Sequence, residues 1–172
     1  MVKFSVIANG YISRNELNYD MLIKNLALGG MIAALYAGVT VALAPLSYGP
    51  LQVRVAEALT LLPFYIPAAI PGLFAGALIA NAFSPYGALD IVVGSLASLT
   101  AAFLTRRMPN LWLAALPPIL VNAVAIGTML YFISDVPLLL TVLYVGAGQT
   151  LACGVLGIPL MKALEKKGLV KR

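Results

Sequence analysis

The chain has 172 residues, of which 62% are hydrophobic and only 10% are charged, and its mean hydropathy is +0.98. A soluble domain usually carries about 25% charged and about 45–50% apolar residues, so the composition indicates an integral membrane protein and excludes most soluble enzymes. The chain has no histidine and one cysteine, Cys153, which excludes a His/Cys metal site, a Cys-His nucleophile pair and a disulfide framework. No cofactor is expected.

Hydrophobic stretches recur along the chain between short segments rich in Pro, Gly, Ser and Asp. A membrane-spanning helix needs about 20 apolar residues, and the stretches cover residues 22–46, 51–66, 67–83, 88–105, 111–134 and 136–161. We predict an all-α integral membrane protein with six transmembrane helices. Its parts are an N-terminal tail (1–21), a transmembrane domain (22–161) and a basic C-terminal tail (162–172).

Residues 51–83 form either one span or two. As one helix, these 33 residues would be about 50 Å long, against a hydrocarbon core of about 30 Å. Pro63, Pro67 and Pro71 recur at four-residue steps in the middle of the segment. Because proline interrupts helical hydrogen bonding, we expect the segment to fold back as two helices.

The basic residues predict the orientation. Six spans place ten of the eleven Lys and Arg residues on one side of the membrane. Because such residues concentrate in cytoplasmic segments, we predict that both termini and the 106–110 loop are cytoplasmic and that loops near 47–50, 84–87 and 134–136 face outward. The net charge of +5 then reflects topology rather than a nucleic-acid partner. The first residues lack the features of a signal peptide.

A few polar side chains interrupt the apolar stretches, where charges are costly unless they are paired or face a wet cavity. Arg54 and Glu57 are three residues apart and would share a helical face, as a structural ion pair or as part of a ligand site. For the other members of the set, helix capping and interhelical hydrogen bonding are the structural alternatives. Together they predict a pocket open to the outside, with a polar floor and aromatic walls: Tyr48, Gln52, Arg54, Glu57, Asn81, Tyr86, Asp90, Asn122 and Gln149.

Small residues recur every fourth position on the first hydrophobic stretch. Gly30, Ala34 and Gly38 form one row, and a second row beside it contains Ala33 and Ala37. Such rows let helices approach closely. They serve either packing inside the bundle or docking onto another membrane subunit.

Three strings carry a resemblance to a known family. They are AALYAGVT at 33–40, SYGPLQVRVAEAL at 47–59, and NAFSP at 81–85 leading to DIVVGS at 90–95. Over roughly residues 26–161 the chain closely resembles the QueT family, and the Tyr-Gly-Pro to Arg-x-x-Glu string is its most specific part.

The resemblance implies a role as the substrate-binding S component of an energy-coupling factor transporter in the bacterial cytoplasmic membrane. Such components have six helices, cytoplasmic termini and a ligand pocket near the outer face. Their small-residue row, here Gly30, Ala33, Ala34, Ala37 and Gly38, contacts a transmembrane T component. Two separate subunits hydrolyse ATP, consistent with the lack of a G-x-x-x-x-G-K-[ST] loop in this chain.

The resemblance also implies a queuosine precursor as ligand, a 7-deazaguanine such as preQ1 or preQ0. Its N1–H and exocyclic amine are parallel donors that suit Glu57, and its keto oxygen suits Gln52, Asn81 or Arg54. Asp90 is then the acid nearest to the aminomethyl cation of preQ1. Tyr48 and Tyr86 are expected to stack on the ring.

Other functions remain as alternatives. An S component for another vitamin-like substrate fits the same features. A stand-alone secondary transporter would normally use a titratable group at mid-depth, where this chain has Asn122 and Gln149. A membrane enzyme would need a cluster of carboxylates, whereas the predicted cytoplasmic acids are Glu16, Asp20 and Glu165. We therefore expect a binding protein and not an enzyme.

Overall fold

The computed structural model describes the backbone of residues 2–49 and 52–172, and side chains from residue 18 onward within those ranges. The described residues form helices and no strand, which confirms the all-α prediction. In chain order they are α1 (Val2–Ala42), α2 (Ala44–Ser47), a 3₁₀ helix (Val55–Phe64), α3 (Ala69–Asn81), a first π-helix (Asp90–Gly94), α4 (Ser95–Arg107), α5 (Leu111–Ala114), α6 (Leu116–Ile133), α7 (Leu138–Gln149), a second π-helix (Thr150–Gly157) and α8 (Ile158–Lys166).

Three helical segments of the described chain are long and apolar enough to cross a membrane: Asn18–Ala42, Leu111–Ile133 and Leu138–Lys166. The 3₁₀ helix and α3 have 10 and 13 residues, so each is about 20 Å long, short of a hydrocarbon core of about 30 Å. Helices therefore occupy all six predicted stretches, while six complete spans and their orientation stay a prediction.

The 51–83 segment is divided into two helices, as its prolines predict. The 3₁₀ helix ends at Phe64, α3 begins at Ala69, and Pro67 lies in the turn between them. The guanidinium of Arg106 donates to the carbonyl oxygens of Phe64 (3.0 Å) and Tyr65 (3.4 Å). These bonds satisfy carbonyl groups that the helix end leaves without a partner.

Helix α1 extends beyond the predicted first span. Its backbone is helical from Val2, so it continues through the predicted boundary at 21/22. The side chains of Lys3, Arg14 and Glu16, which enter the predicted charge distribution, lie outside the described residues, as do Pro50 and Leu51.

The two small-residue rows of α1 have different surroundings. Ala33 and Ala37 are buried, and α1 packs closely on α3 along this side. A Cβ atom added to Gly76 would lie 2.9 Å from the carbonyl oxygen of Ala33, and one added to Gly72 would lie 2.6 Å from that of Gly29. The row with Ala33 and Ala37 therefore serves bundle packing.

Gly30, Ala34 and Gly38 lie on the exposed side of α1. Nothing lies within 4 Å of a Cβ atom added to Gly30 or Gly38. Docking of another subunit on α1 remains a prediction, and this exposed row is the part of the small-residue surface that a partner can reach.

The six-span topology predicts opposite labelling of two pairs of loops. Cysteines at the exposed positions Pro85 and Asp135 should react with an impermeant maleimide from outside, whereas cysteines at Pro109 and Leu169 should react only after the membrane is opened. The native Cys153 is fully buried and should contribute little background. Labelling of all four positions from one side would contradict six spans.

Candidate functional site

A buried ion pair links the 3₁₀ helix region to the first π-helix. The Arg54 guanidinium donates to Asp90 Oδ2 at 2.9 Å and to Asn81 Oδ1 at 2.7 Å, and its Nε lies 3.4 Å from the carbonyl oxygen of Ser47. Arg54 is 3% exposed and Asp90 is completely buried. We call Arg54, Asn81 and Asp90 the Arg54 network.

A second set of hydrogen bonds surrounds Glu57. The Tyr36 hydroxyl of α1 donates to Glu57 Oε1 at 2.5 Å, and Asn122 Nδ2 of α6 lies 3.4 Å from Oε2. All three side chains are buried. We call Tyr36, Glu57 and Asn122 the Glu57 network, and it joins α1, the 3₁₀ helix and α6.

The pairing of Arg54 with Glu57, one alternative offered by their spacing, is wrong. Arg54 precedes the 3₁₀ helix with extended backbone angles, φ −84° and ψ 99°, so the helical i, i+3 relation does not apply to it. Its counter-ion is Asp90, and Glu57 instead accepts hydrogen bonds from neutral donors.

Gln149 reaches the same region through Cys153 of the second π-helix. The Cys153 thiol lies 3.5 Å from Gln149 Oε1, 3.4 Å from the backbone oxygen of Glu57 and 3.5 Å from the Thr60 hydroxyl. π-Helical turns are rare and often occur at functional sites. Here one carries Asp90 and the other carries Cys153, so both contribute to the buried polar region.

The two predicted aromatic residues lie on the side of Arg54. The Arg54 guanidinium is 5.3 Å from the centre of the Tyr48 ring, whose hydroxyl donates to the Ala80 carbonyl oxygen. The Tyr86 hydroxyl donates to the backbone oxygen of Tyr48 at 3.1 Å. Tyr86 also lines a cavity of about 170 Å³ beside α6 and α7, with Leu130, Ser134, Val136, Thr141 and Tyr144.

Gln52 has a strained backbone and a buried side chain. Its backbone φ angle is +44°, a value that residues other than Gly, Asn and Asp rarely adopt. The residue is 2% exposed. Such strain is most often retained where function requires it. Gln52 is therefore a binding candidate on grounds beyond its polarity.

Some buried polar atoms have no hydrogen-bond partner among the described residues: Gln52 Nε2, Asp90 Oδ1 and Ser47 Oγ. Buried polar groups are almost always paired, and an unpaired one costs about 1–3 kcal/mol. Gln52 Nε2 is a donor, Asp90 Oδ1 is an acceptor, and the Ser47 hydroxyl can be either. This region can therefore still donate and accept hydrogen bonds.

The structure brings most of the predicted site residues together, but all of them except Tyr86 are buried, so they do not line the predicted pocket open to the outside. The Arg54 network contains Arg54, Asn81 and Asp90, with Tyr48 and Tyr86 attached, and the Glu57 network contains Glu57 and Asn122, with Gln149 adjacent. Sequence reasoning missed Tyr36, Gly94 and Cys153. The signal for Tyr36 was its position on the face of α1 that Ala33 and Ala37 share.

Gly94 allows two members of the Arg54 network to lie close to the first π-helix. A Cβ atom there would be 2.6 Å from Asn81 Nδ2 and 2.7 Å from Asp90 Oδ1. Because both side chains are fully buried and both bond Arg54, they cannot move away without loss of those bonds.

We expect Gly94→Ala to destabilise the fold by about 1–3 kcal/mol and to lower the melting temperature in detergent. Gly146→Ala is the control, because its Cβ would make an ordinary 3.5 Å contact with Ala123. Equal melting temperatures for the two variants would contradict this role of Gly94.

The apolar helices, with charged groups buried between them, define a helical membrane protein with a polar site in its interior. Comparison with models of known families matches residues 26–166 to the QueT transporter family. The match covers more than half of the chain, so the protein belongs to the QueT transporter family, as its sequence strings predict. Comparisons with curated proteins and with solved structures find no significant match.

Proposed function

We propose that this protein is the substrate-binding S component of an energy-coupling factor importer and that it captures a queuosine precursor at the outer side of the membrane. Membership of a transporter family supports a small-molecule substrate. The observation that supports the proposal is the buried polar site, where the Glu57 carboxylate and the unpaired atoms Gln52 Nε2 and Asp90 Oδ1 are donors and acceptors of the kinds that a deazaguanine needs.

The assignment of ligand atoms follows from which groups are already engaged. Arg54 bonds Asn81, Asp90 and a backbone oxygen, and Asn81 Nδ2 donates to Ser95 Oγ at 3.4 Å, which leaves Gln52 Nε2 as the donor for the keto oxygen. Each Glu57 oxygen accepts one hydrogen bond within the protein. A carboxylate has about four acceptor positions, so Glu57 retains capacity for the N1–H and the exocyclic amine.

Two alternatives share some of these features. A proton-coupled transporter would use a titratable group in the membrane interior, and Glu57, which contacts Asn122, is such a group, so the energy source of uptake distinguishes this alternative from the proposal. No group of three His, Cys, Asp or Glu residues among the described residues is arranged to hold a metal ion. An S component for another vitamin-like ligand remains the closest rival.

Capture of the tagged chain from its native membrane tests the proposal. We expect a transmembrane T component and two ATP-hydrolysing subunits to purify with it, and uptake in vesicles to depend on ATP. Purification of the chain alone, together with uptake that a proton gradient drives, would support a secondary transporter instead.

The exposed row on α1 predicts that assembly with the T component and ligand binding depend on different residues. Ala34→Trp should abolish assembly with the T component and leave ligand affinity within a few-fold, because Ala34 is exposed and away from both networks. Ala33→Trp is the comparison and should lower the melting temperature, because Ala33 packs on Gly76. Normal assembly of Ala34→Trp would place the T component elsewhere.

A further inference from the structure

The 3₁₀ helix is unusually long. It has ten residues, Val55–Phe64, whereas 3₁₀ runs beyond about four residues are uncommon and often mark a hinge or a segment under strain. Six of the ten residues are Ala, Leu or Glu, which favour the α-helix. Pro63 opposes an α-helix only in the last turn, because its ring would meet the carbonyl group of Leu59. The conformation of residues 55–62 therefore needs a cause outside the helix.

Contacts from other parts of the chain hold the C-terminal end of this helix. Arg106 at the end of α4 donates to the carbonyl oxygens of Phe64 and Tyr65. The Tyr65 hydroxyl donates to Glu165 Oε2 of α8 at 3.1 Å, and the Arg172 guanidinium lies 4.2 Å from the centre of the Phe64 ring. We call these contacts the tip clasp. They fix this end of the helix against α4 and α8.

The N-terminal end of the helix is fixed as well. Arg54, the residue before the helix, bonds Asn81 and Asp90 in the Arg54 network. A 3₁₀ helix rises about 2.0 Å per residue and an α-helix about 1.5 Å, so the segment spans about 20 Å and would span about 15 Å as an α-helix. The two anchored ends therefore hold the helix in its longer form.

A change to an α-helix would take the Glu57 network apart. Each residue turns the chain by about 120° in a 3₁₀ helix and by about 100° in an α-helix. With Arg54 in place, Glu57, three residues further on, would turn by about 60° and move by about 1.5 Å along the axis. Its carboxylate would then lose the hydrogen bonds from Tyr36 and Asn122, which belong to two different helices.

We propose that the 3₁₀ helix is a two-state element. The tip clasp holds it extended with Glu57 in its network, and opening of the clasp lets residues 55–62 shorten into an α-helix that withdraws Glu57. The device regulates the buried site, so its consequence for ligand binding rests on the proposed function. A partner that binds Arg106 or Glu165 in place of their present contacts would open the clasp and favour release of the ligand.

An engineered disulfide reports the state of the helix without any ligand. The Thr60 hydroxyl lies 3.5 Å from the Cys153 thiol, so Thr60→Cys places a second thiol beside the native one, and the oxidant diamide should join the two. In an α-helix anchored at Arg54, position 60 would turn by about 120° and move by about 3 Å. A disulfide needs Cβ atoms about 3.5–4.5 Å apart, so the bond should then form slowly. Counting free thiols after denaturation measures it.

Variants that open the clasp should slow this oxidation severalfold. Arg106→Met removes the donors to the helix-end carbonyl oxygens. Arg172→Ala removes the contact with Phe64 at an exposed position, where folding should be unaffected. Arg107→Met is the control, because Arg107 is exposed and loses the same charge. Equal oxidation rates in all backgrounds would overturn the proposal. So would a lack of oxidation with the clasp intact, because it would contradict the register of the helix against Cys153.

Affinity for preQ1 tests the regulation of the site. Arg172→Ala should weaken binding about tenfold, a difference of about 1.4 kcal/mol, and Arg107→Met should not. In chains carrying the Thr60→Cys disulfide, Arg172→Ala should have no effect, because the bond locks the helix. Wild-type affinity of Arg172→Ala without the disulfide would overturn the regulation. Slower oxidation of the clasp variants, with no preQ1 binding even by the wild type, would support the two-state helix and overturn the proposed function.

Discussion

Glu57→Gln is expected to weaken preQ1 binding by about 30- to 1000-fold, which corresponds to about 2–4 kcal/mol. The substitution keeps the shape of the side chain, but it places an amide donor where the ligand presents donors and removes the charge that strengthens the bonds. Calorimetric titration of the purified protein measures the effect directly.

The fold should tolerate this substitution better than binding does. A tyrosine hydroxyl can donate or accept, so Tyr36 can accept from the new amide while Asn122 still donates to the remaining oxygen. The melting temperature in detergent should therefore change little. Near-wild-type affinity with a large fall in melting temperature would assign Glu57 a structural role and remove it from the site.

Arg54→Met is expected to destabilise the protein by about 3–5 kcal/mol, because it leaves Asp90 as an uncompensated buried charge. The same substitution removes the donor to Asn81 Oδ1. The melting temperature should fall sharply, and binding should fail as a consequence of lost structure rather than of a lost ligand contact.

A second substitution should recover part of that loss. In Arg54→Met combined with Asp90→Asn, no buried charge remains at this position, so the double variant should be more stable than Arg54→Met alone. Melting temperatures of the two single variants and the double variant form a double-mutant cycle, in which contacting groups deviate from additivity. Additive losses would show that the ion pair does not couple these residues energetically.

Composition and hydropathy predicted the helical membrane fold well, because burial in a bilayer requires long apolar helices. The break between the 3₁₀ helix and α3 followed from Pro67 and its neighbours. The short lengths of these two helices could not be predicted, because an apolar segment buried inside a helix bundle has the same hydropathy as a membrane-spanning helix.

The members of the buried polar cluster could be predicted from the sequence, but their pairing could not. Polar residues inside apolar stretches stand out in a sequence, because burying them in a membrane costs free energy. The polar residues that surround Glu57 and Arg54 in the structure are largely those picked out in this way. The partner of Arg54 depends instead on how the first π-helix, 36 residues later, packs against the start of the 3₁₀ helix. Likewise, only tertiary packing shows that Ala33 faces α3 while Ala34 is exposed.

Calorimetric titration of the wild-type chain, purified without any partner, with preQ1 tests the central claim most directly. A binding subunit should take up one ligand per chain without ATP, with a dissociation constant of about 1 μM or lower. A monodisperse protein that melts cooperatively but gives neither heat nor a thermal shift with millimolar preQ1 would contradict the account.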